Sequence, residues 1–353
     1  MSFMPKPNNR KNEHVSLSEK FYDHGVSSFS DVHFVHHSFP QMDVKDVNLS
    51  VHLAGLDFSV PFFINAMTGG SPWTGRVNEK LAIIARETGL AMATGSVSAA
   101  VKDPSLKDTF EIVREVNPNG LVFANLGAGH GLENAKRVVD LLKADAMQIH
   151  VNAPQEVVMP EGDREFSNWI ENIQSIVNGL DVPVIVKEVG FGMSKETITL
   201  LESLGVKFID ISGKGGTNFA QIENYRRKDY KLDDLESWGQ TTVVSLLEAF
   251  ETETTANIIA SGGIRRPLEI VKALALGASL TGLSSWFMHM ALDDVDKTIE
   301  TVSSWKMELS RIMTLLGART VDELKQTDLV ITGDSAEWSY ARNIDIKRYA
   351  SRS

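Results

Sequence analysis

A (β/α)8 barrel, the TIM-barrel fold, is the fold class that this sequence predicts, and three observations predict it. Eight short apolar runs recur along the chain, and a polar turn and a stretch of helical periodicity follow each run. The runs are apolar almost throughout, as expected of strands buried on both faces. A chain of 353 residues, 42% of them hydrophobic, can form such a barrel as one domain with extensions.

The eight apolar runs are the predicted barrel strands. They span residues 61–66, 90–94, 121–125, 146–150, 183–187, 208–212, 257–261 and 279–282. Helical patterns lie between them, for example at 77–88, 132–142, 195–204, 241–251 and 268–276. Eight strand–helix units predict a closed barrel rather than an open sheet.

The predicted barrel spans residues 61–326, and three segments lie outside its repeat. Residues 1–60 form a polar N-terminal arm, and residues 327–353 form a C-terminal tail that we expect to pack on the barrel. The tail carries few helical signals. A long charged insertion at 214–240 follows strand six. Long loops at the C-terminal face of a barrel are usually functional or mobile.

Composition excludes several function classes. The formal net charge of −11 argues against a nucleic acid or an anionic membrane as the main partner, so an anionic ligand must be bound by local groups. No apolar run approaches a membrane span and the N-terminus lacks a signal-peptide pattern, which predicts a cytoplasmic protein. The absence of cysteine excludes disulfides, thiolate nucleophiles and Cys-ligated metal sites.

A candidate phosphate-binding turn follows the seventh predicted strand. There, Ala260-Ser261 leads into Gly262-Gly263-Ile264-Arg265, and a helical pattern begins directly afterwards. Glycine lets the backbone approach an anion, and a helix N-terminus favours negative charge. A plain strand-to-helix turn would explain the motif equally well in isolation. Its place in the seventh of eight units, where barrels commonly bind phosphate, favours a phosphate site together with Thr281-Gly282-Leu283-Ser284 after strand eight.

Polar residues also follow the other predicted strands. They are Asn65-Ala66-Met67-Thr68-Gly69-Gly70, Thr94-Gly95-Ser96, Asn125-Leu126-Gly127, His150-Val151-Asn152-Ala153-Pro154-Gln155-Glu156, Lys187-Glu188 and Ser212-Gly213-Lys214-Gly215-Gly216-Thr217. Any one of these residues could simply cap a helix or form a turn. Six such segments at one face of a barrel predict a ligand site.

Lys187 ends an apolar strand and is expected at the barrel mouth, where its ammonium group needs a partner. Three roles remain open for it on the residues alone. It could form a structural salt bridge, face an electron-rich cofactor ring, or form a Schiff base as barrel aldolases do.

These motifs resemble those of the type 2 isopentenyl-diphosphate isomerases. The resemblance covers nearly the whole chain, from the arm to the tail near Trp338 and Arg342. Its most specific parts are the arm motif and the Gln-Glu pair, since many FMN barrels share the glycines. The matching segments are Asn9-Arg10-Lys11-Asn12-Glu13-His14, Met67-Thr68-Gly69-Gly70, His150-Val151-Asn152, Gln155-Glu156, Lys187-Glu188-Val189-Gly190-Phe191-Gly192, Ser212-Gly213-Lys214-Gly215-Gly216-Thr217-Asn218-Phe219 and Ser261-Gly262-Gly263-Ile264-Arg265.

The resemblance implies an FMN-dependent barrel enzyme that interconverts isopentenyl and dimethylallyl diphosphate. It implies a requirement for Mg²⁺ and for reduced flavin, with NADPH as the reductant, and a homo-oligomer of four or eight subunits. The arm would then be a lid over the substrate.

The resemblance also implies roles for individual residues. The isoalloxazine ring would contact Ala66, Met67, Thr68, Ser96, Asn125 and Lys187. The ribityl chain and phosphate would contact Ser212, Thr217, Gly262, Gly263, Ile264, Arg265, Leu283 and Ser284. The substrate would contact Arg10, Lys11, His14, Ser96, Ser98, His150, Asn152 and Gln155. Gln155 would be catalytic, and Glu156 would bind Mg²⁺.

Elementary chemistry is consistent with these roles without requiring them. A net-acidic protein that binds a diphosphate needs local cations, and a carboxylate is a suitable Mg²⁺ ligand. However, Arg10 and Lys11 could belong to a solvated tail, and Glu156 could simply favour a helix N-terminus. No pair of carboxylates or histidines stands out as an acid and base. The resemblance implies that the reduced flavin exchanges the protons and that Gln155 positions or relays one.

Two departures and two rival functions complete the prediction. Family members often carry a polar or basic residue in the stretch after Ser96, whereas this chain offers only Ser98, so a charged contact from this loop is not expected. Arg342 precedes Asn343 where the family has glycine. An FMN-dependent 2-hydroxy-acid oxidoreductase would share the fold, but it needs a histidine beside an arginine, and the segment after strand six has no histidine. A non-catalytic barrel that binds a phosphorylated ligand would not need both Lys187 and Gln155-Glu156.

Overall fold

The computed structural model describes residues 10–22 and 27–352, and at its centre is a closed barrel of eight parallel strands. Each strand pairs with the next one along the chain, and the eighth closes on the first with Thr281 opposite Phe62. The predicted fold class is therefore confirmed, and strand ends differ from prediction by at most two residues. The strands are Phe62–Ile64, Met92–Ala93, Val122–Gly127, Ala146–Val151, Val184–Glu188, Phe208–Asp210, Asn257–Ser261 and Leu280–Leu283.

Helices surround the barrel. Those of the (β/α) units and the segments near them are Pro72–Thr88, Ser98–Lys102, Asp108–Val116, Leu132–Leu142, Ala153–Val158, Trp169–Gly179, Lys195–Ser203, Phe219–Arg226, Thr242–Glu251, Pro267–Ala275, Ser285–Asp293, Val295–Leu315 and Val321–Leu324. The helix predicted at 77–88 begins earlier because Ser71 caps it and Pro72 occupies its first position. No helix in these described ranges is long and apolar enough to cross a membrane.

The barrel interior has an apolar lower layer and a polar upper layer. Side chains alternate along a strand, so residues two positions apart point to the same side. The lower layer contains Phe63, Phe123, Ile185, Phe208, Ile259 and Leu280. Two positions further along five of these strands are Asn65, Asn125, Lys187, Asp210 and Ser261, all buried. The polar layer thus lies at the carboxyl ends of the strands.

A β-hairpin covers the lower end of the barrel. Its strands, Val51–Leu53 and Leu56–Phe58, pair antiparallel. Leu56 and Phe58 are buried against the lower layer, and the Phe58 and Phe123 ring centroids are 6.2 Å apart. Of the predicted arm at 1–60, residues 1–9 and 23–26 lie outside the described residues, and the helix Arg10–Lys20 reaches the opposite, upper end.

The C-terminal tail is more regular than its weak helical signals predict. Its strand Leu329–Ile331 pairs antiparallel with Val32–Phe34, and the helix Gly333–Ala341 follows. These elements are too short to show a clear hydrophobic period in the sequence. Pairing with the N-terminal segment stabilises them in the fold, because each strand supplies the backbone partners that the other lacks.

Candidate active site

A cavity of about 450 Å³ opens at the carboxyl ends of the barrel strands, beneath the arm helix. It brings together nearly all of the residues singled out in the sequence. The predicted residues that line it are Arg10, Lys11, His14, Ala66, Met67, Thr68, Ser96, Ser98, Asn125, His150, Asn152, Gln155, Glu156, Lys187, Ser212, Thr217, Gly262, Gly263, Ile264, Leu283 and Ser284. Arg265 does not line it: its Nη2 donates to the Gly215 carbonyl at 2.5 Å.

Two glycine-rich loops pack backbone against backbone at one end of this cavity. Gly262 and Gly263 have φ angles of 95° and 75°, in the region that favours glycine. A Cβ atom at Gly262 would lie 1.9 Å from the Gly213 carbonyl oxygen, and one at Gly263 would lie 2.7 Å from the Gly215 carbonyl. Side chains are therefore excluded here, and the bare backbone suits the close approach of an anion. The helix Ser285–Asp293 begins in the same wall.

Lys187 is buried in the cavity wall and has a carboxylate partner. Its Nζ lies 3.3 Å from Asp210 Oδ2 and donates to the Glu188 carbonyl at 2.8 Å. Asp210 is fully buried, so the pair is held in a medium of low polarity. The salt bridge considered from sequence is therefore present, and it leaves the ammonium group at the cavity surface. A Schiff base needs a neutral amine, which this ion pair disfavours.

Glu188 shapes the loop beside Lys187. One of its carboxylate oxygens accepts hydrogen bonds from the backbone N–H groups of Val189, Gly190 and Phe191, at 2.7, 2.9 and 2.6 Å. Burial nevertheless raises the pKa of Glu188 to about 7. Val189 and Gly190 line the cavity, so this carboxylate holds part of its wall.

The side-chain amide of Gln155 is held at both ends. Its Nε2 donates to Glu223 Oε1 at 3.0 Å, and its Oε1 accepts from Asn152 Nδ2 at 3.1 Å. Because a carboxylate can only accept, Glu223 determines which way the amide points. The geometry therefore presents Gln155 to the cavity in one orientation.

Glu223 is a site residue that sequence reasoning missed. It lies in the helix Phe219–Arg226 of the insertion, is fully buried, and contacts His14 Nε2 at 2.8 Å and Arg226 Nη1 at 2.5 Å. Burial acts to raise its pKa, but hydrogen bonds from His14, Gln155 and Arg226 outweigh burial and lower the pKa to about 2. The only local signal is an arginine three residues later, which is common on solvated helices.

The arm helix is anchored on three sides of the cavity. Its anchoring pairs are Asn12 with Ser71 at 2.6 Å, Glu13 with Arg226 at 2.8 Å, Ser18 with Thr217 at 3.3 Å and Glu19 with His289 at 2.9 Å. Burial, with a smaller effect from Arg10, lowers the pKa of Lys11 to about 8. Burial also lowers the pKa of His14. The arm is therefore a docked element that brings cationic groups to the cavity.

Glu156 lies in the first turn of the helix Ala153–Val158 and lines the cavity. Its two oxygens accept from Asn152 Nδ2 and from the Asp163 backbone N–H, both at 2.9 Å. Within the described residues no group of three or more His, Cys, Asp or Glu side chains could hold a metal ion. A cation at Glu156 would thus need further oxygen ligands from a bound substrate and from water.

His130 is a second residue that the sequence did not single out. Its Nε2 lies 2.9 Å from Ser98 Oγ, which in turn lies 2.8 Å from Ser96 Oγ. Lys102 lines the cavity nearby. The loop after Ser96 has no charged side chain of its own at Ser98. His130 and Lys102 place basic side chains beside this loop.

Comparison with known proteins defines the class to which this barrel and site belong. The family model described as FMN-dependent dehydrogenase matches residues 124–331, more than half of the chain. Solved structures share the fold: a mandelate oxidase with (S)-2-phenylpropionate has a TM-score of 0.63 at 18% identity, with 90% of both chains covered. A mutant flavocytochrome b2 with pyruvate bound has a TM-score of 0.64 at 18% identity, covering 88% of this chain and 80% of that one.

Curated relatives narrow the class. The isopentenyl-diphosphate delta-isomerase of Staphylococcus epidermidis is 50% identical over 340 residues, covering 96% of this chain and 97% of its own. That of Staphylococcus saprophyticus is 49% identical over 343 residues, covering 97% and 99%. The chain belongs to the isopentenyl-diphosphate delta-isomerase family, as the motifs predicted.

Proposed function

We propose that this protein interconverts isopentenyl and dimethylallyl diphosphate, with reduced FMN as the acid–base cofactor, in isoprenoid biosynthesis. One observation carries the proposal beyond family membership. A single cavity joins a glycine cradle, a buried lysine, an oriented glutamine and a cationic arm. The glycine cradle suits the FMN phosphate, the lysine suits a reduced flavin, and the cationic arm suits a diphosphate.

The residues at one end of the cavity fit FMN. The loops of Gly262 and Gly263 leave bare backbone and, with Ser212, Thr217, Leu283 and Ser284, would hold the ribityl chain and phosphate. Ala66, Met67, Thr68, Ser96 and Asn125 would contact the ring. Lys187, held by Asp210, would place a positive charge beside it and favour an anionic reduced form.

The bound reduced flavin would supply and remove the protons of the double-bond shift. Gln155 would position the allylic carbon chain beside it, because its amide is held by Glu223 and Asn152. No side chain of the protein then needs to be oxidised or reduced.

The other end of the cavity fits a diphosphate. Arg10, Lys11 and His14 would approach it from the arm, while Ser96, Ser98, His150 and Asn152 would contact it from the barrel. Glu156 would contribute one carboxylate oxygen to Mg²⁺, whose remaining ligands would be phosphate and water. We propose NADPH as the external reductant of FMN, a cytoplasmic location and a homo-oligomeric state of four or eight subunits.

An anaerobic assay tests the proposal. Purified protein with FMN, Mg²⁺ and isopentenyl diphosphate should form dimethylallyl diphosphate once NADPH or dithionite has reduced the flavin. Because the reaction involves no net redox change, many turnovers should follow from one reduction. NADPH oxidation that matched product formation mole for mole would contradict the isomerase function, and flavin reduction by lactate or mandelate would instead support the 2-hydroxy-acid oxidoreductase.

A further inference from the structure

A continuous row of buried polar side chains crosses the upper layer of the barrel. It starts at Asp210 on strand six, passes through Asn65, Gln148 and Asn125, and ends at His150 on the cavity wall. Asp210, Asn65, Gln148 and Asn125 are each at most 2% exposed, so the protein itself must satisfy their hydrogen bonds. We call these five residues the polar row.

Asp210 can only accept hydrogen bonds. Its Oδ1 accepts from Ser261 Oγ at 2.6 Å and from the Ser212 backbone N–H at 3.2 Å. Its Oδ2 accepts from Asn65 Nδ2 at 2.7 Å and faces Lys187 Nζ at 3.3 Å. Three hydrogen-bond donors and the facing ammonium group of Lys187 surround the two oxygens of this carboxylate. The first residue of the row is therefore a hydrogen-bond acceptor on both oxygens.

Asn65 continues the same donor-to-acceptor direction of hydrogen bonding. Its Nδ2 must face Asp210, and its Oδ1 accepts from the Ala66 backbone N–H at 2.8 Å and from Gln148 Nε2 at 3.0 Å. The reversed amide would set oxygen against oxygen at Asp210 and N–H against N–H at Ala66. Two independent neighbours thus determine one orientation of Asn65.

The next two amides must follow the same direction. Since Gln148 uses Nε2 to donate to Asn65, its Oε1 accepts from Asn125 Nδ2 at 3.1 Å. Asn125 then has only its Oδ1 left to face His150 Nδ1, at 2.9 Å. An amide oxygen needs a donor, so Nδ1 of His150 carries a hydrogen.

We propose that Asp210 is a positioning residue: through Asn65, Gln148 and Asn125 it holds His150 as the tautomer with hydrogen on Nδ1, so that Nε2 offers a lone pair to the cavity. The same carboxylate pairs with Lys187. One buried charge therefore sets the polarity of two side chains on the cavity wall.

The surroundings of His150 keep its ring neutral. Burial, reinforced by the neighbouring ammonium groups of Lys11 and Lys187, lowers its pKa to about 3. A doubly protonated ring would also place a hydrogen on Nδ1, but this environment disfavours the charged ring. Nε2 is thus a hydrogen-bond acceptor.

The tautomer determines what His150 can bind. This consequence, unlike the tautomer itself, rests on the proposed function. A bare Nε2 repels a phosphate oxyanion and takes an O–H donor instead, such as a water molecule bound to Mg²⁺ or a protonated phosphate oxygen. The charge of a diphosphate would then be met by the arm and the cation, while His150 would fix its position.

Nitrogen-15 NMR of the imidazole rings measures the tautomer directly. Protein labelled with ¹⁵N-histidine, carrying FMN but no substrate, would be compared with His150→Gln to assign the His150 signals. Protonated and bare ring nitrogens resonate in separate regions. We expect a protonated Nδ1 and a bare Nε2 in the wild-type protein at neutral pH. A protonated Nε2 with a bare Nδ1 would overturn the proposal, and so would a doubly protonated ring.

Variants of the row test the role of Asp210. Asp210→Asn removes the fixed acceptor, and Gln148→Met breaks the row while leaving the Asp210–Lys187 pair in place. Both should add a second set of His150 signals with Nε2 protonated. Ser261→Ala is the matched control, because it removes one donor to Asp210 without altering the direction of the row, and it should keep the single tautomer. A single unchanged tautomer in folded Asp210→Asn and in Gln148→Met would overturn the positioning role.

The measurement needs no substrate, so it separates the two proposals. A wild-type protein with the expected tautomer but no isomerase activity would leave the polar row intact and contradict the proposed function. An active isomerase in which His150 Nε2 is protonated would support the proposed function and contradict the role of the polar row.

Discussion

At the scale of single residues, substitutions of two adjacent residues on one helical turn, Gln155 and Glu156, are predicted to affect different kinetic properties. Gln155 is oriented by Glu223 and Asn152, whereas Glu156 offers a carboxylate at the cavity wall. Gln155→Asn keeps the amide but withdraws it by one methylene, and a displacement of about 1 Å can cost about a hundredfold in rate. We expect its kcat to fall by about that factor with an unchanged Mg²⁺ requirement.

Glu156→Gln is the comparison. Loss of a carboxylate from a hard-cation site should raise the Mg²⁺ concentration needed for half-maximal rate by about tenfold or more, and high Mg²⁺ should restore part of the activity. Mg²⁺ titrations of both variants check the two expectations. Wild-type behaviour of Glu156→Gln at low Mg²⁺ would leave Glu156 as a residue of the helix N-terminus only.

Lys11 predicts a pH dependence. Burial lowers its pKa to about 8, so it is charged below that pH and loses its charge as the pH rises through it. Its attraction to a diphosphate should weaken as the charge is lost, so kcat/KM should fall above about pH 8. Lys11→Arg keeps its charge throughout, and its profile should lack this limb. If both proteins decline identically, another group controls the alkaline limb.

At the scale of elements, the arm helix joins three parts of the fold through side chains of residues 12–19: the turn at Ser71, the insertion at 214–240 and the helix Ser285–Asp293. Arg10, beyond these anchors, is exposed and lines the cavity, so Arg10→Ala should leave the barrel intact. Loss of a charge-assisted contact to phosphate should raise KM by about tenfold, with FMN content unchanged. Ser16→Ala on the same helix is the control and should keep the parental KM. An unchanged KM in Arg10→Ala would mean that the arm does not reach the substrate.

The elements also show what the sequence could and could not predict. The barrel strands could be predicted because each is a local apolar run. Lys187 could be predicted at the barrel mouth because it ends one of these runs. The partners of those residues were not recognisable. Asp210 meets Asn65 across 145 positions, and Gln155 meets Glu223 across 68. Such contacts depend on how the barrel closes and how the insertion folds back, which no local pattern records.

At the scale of the whole molecule, a buried carboxylate attaches the C-terminal tail to the barrel. Glu248 is fully buried and accepts from Arg342 Nε at 2.8 Å, Trp338 Nε1 at 2.9 Å and the Lys195 backbone N–H at 3.0 Å. Glu248→Gln removes the buried carboxylate and leaves Glu196, at 2.6 Å, as the carboxylate partner of Arg342. We expect a loss of roughly 2 kcal/mol in the free energy of unfolding, measured by urea denaturation, because charge-assisted hydrogen bonds to Glu248 are weakened.

Glu253→Gln is the matched control, because Glu253 pairs with Arg348 at 3.3 Å but is 75% exposed. A surface pair of this kind contributes about 1 kcal/mol or less. Equal losses of stability in the two variants would show that burial of Glu248 adds nothing and that the tail is held by its other contacts.

The hairpin at the lower end of the barrel has a kinetic consequence. Leu56 and Phe58 close that end, and the cavity opens at the carboxyl ends of the strands, beneath the arm helix. Substrate and product are therefore expected to enter and leave at the same end of the barrel, and each excludes the other from the cavity. For an isomerase whose two ligands differ only in a double bond, added product should raise the apparent KM for substrate and leave the maximal velocity unchanged.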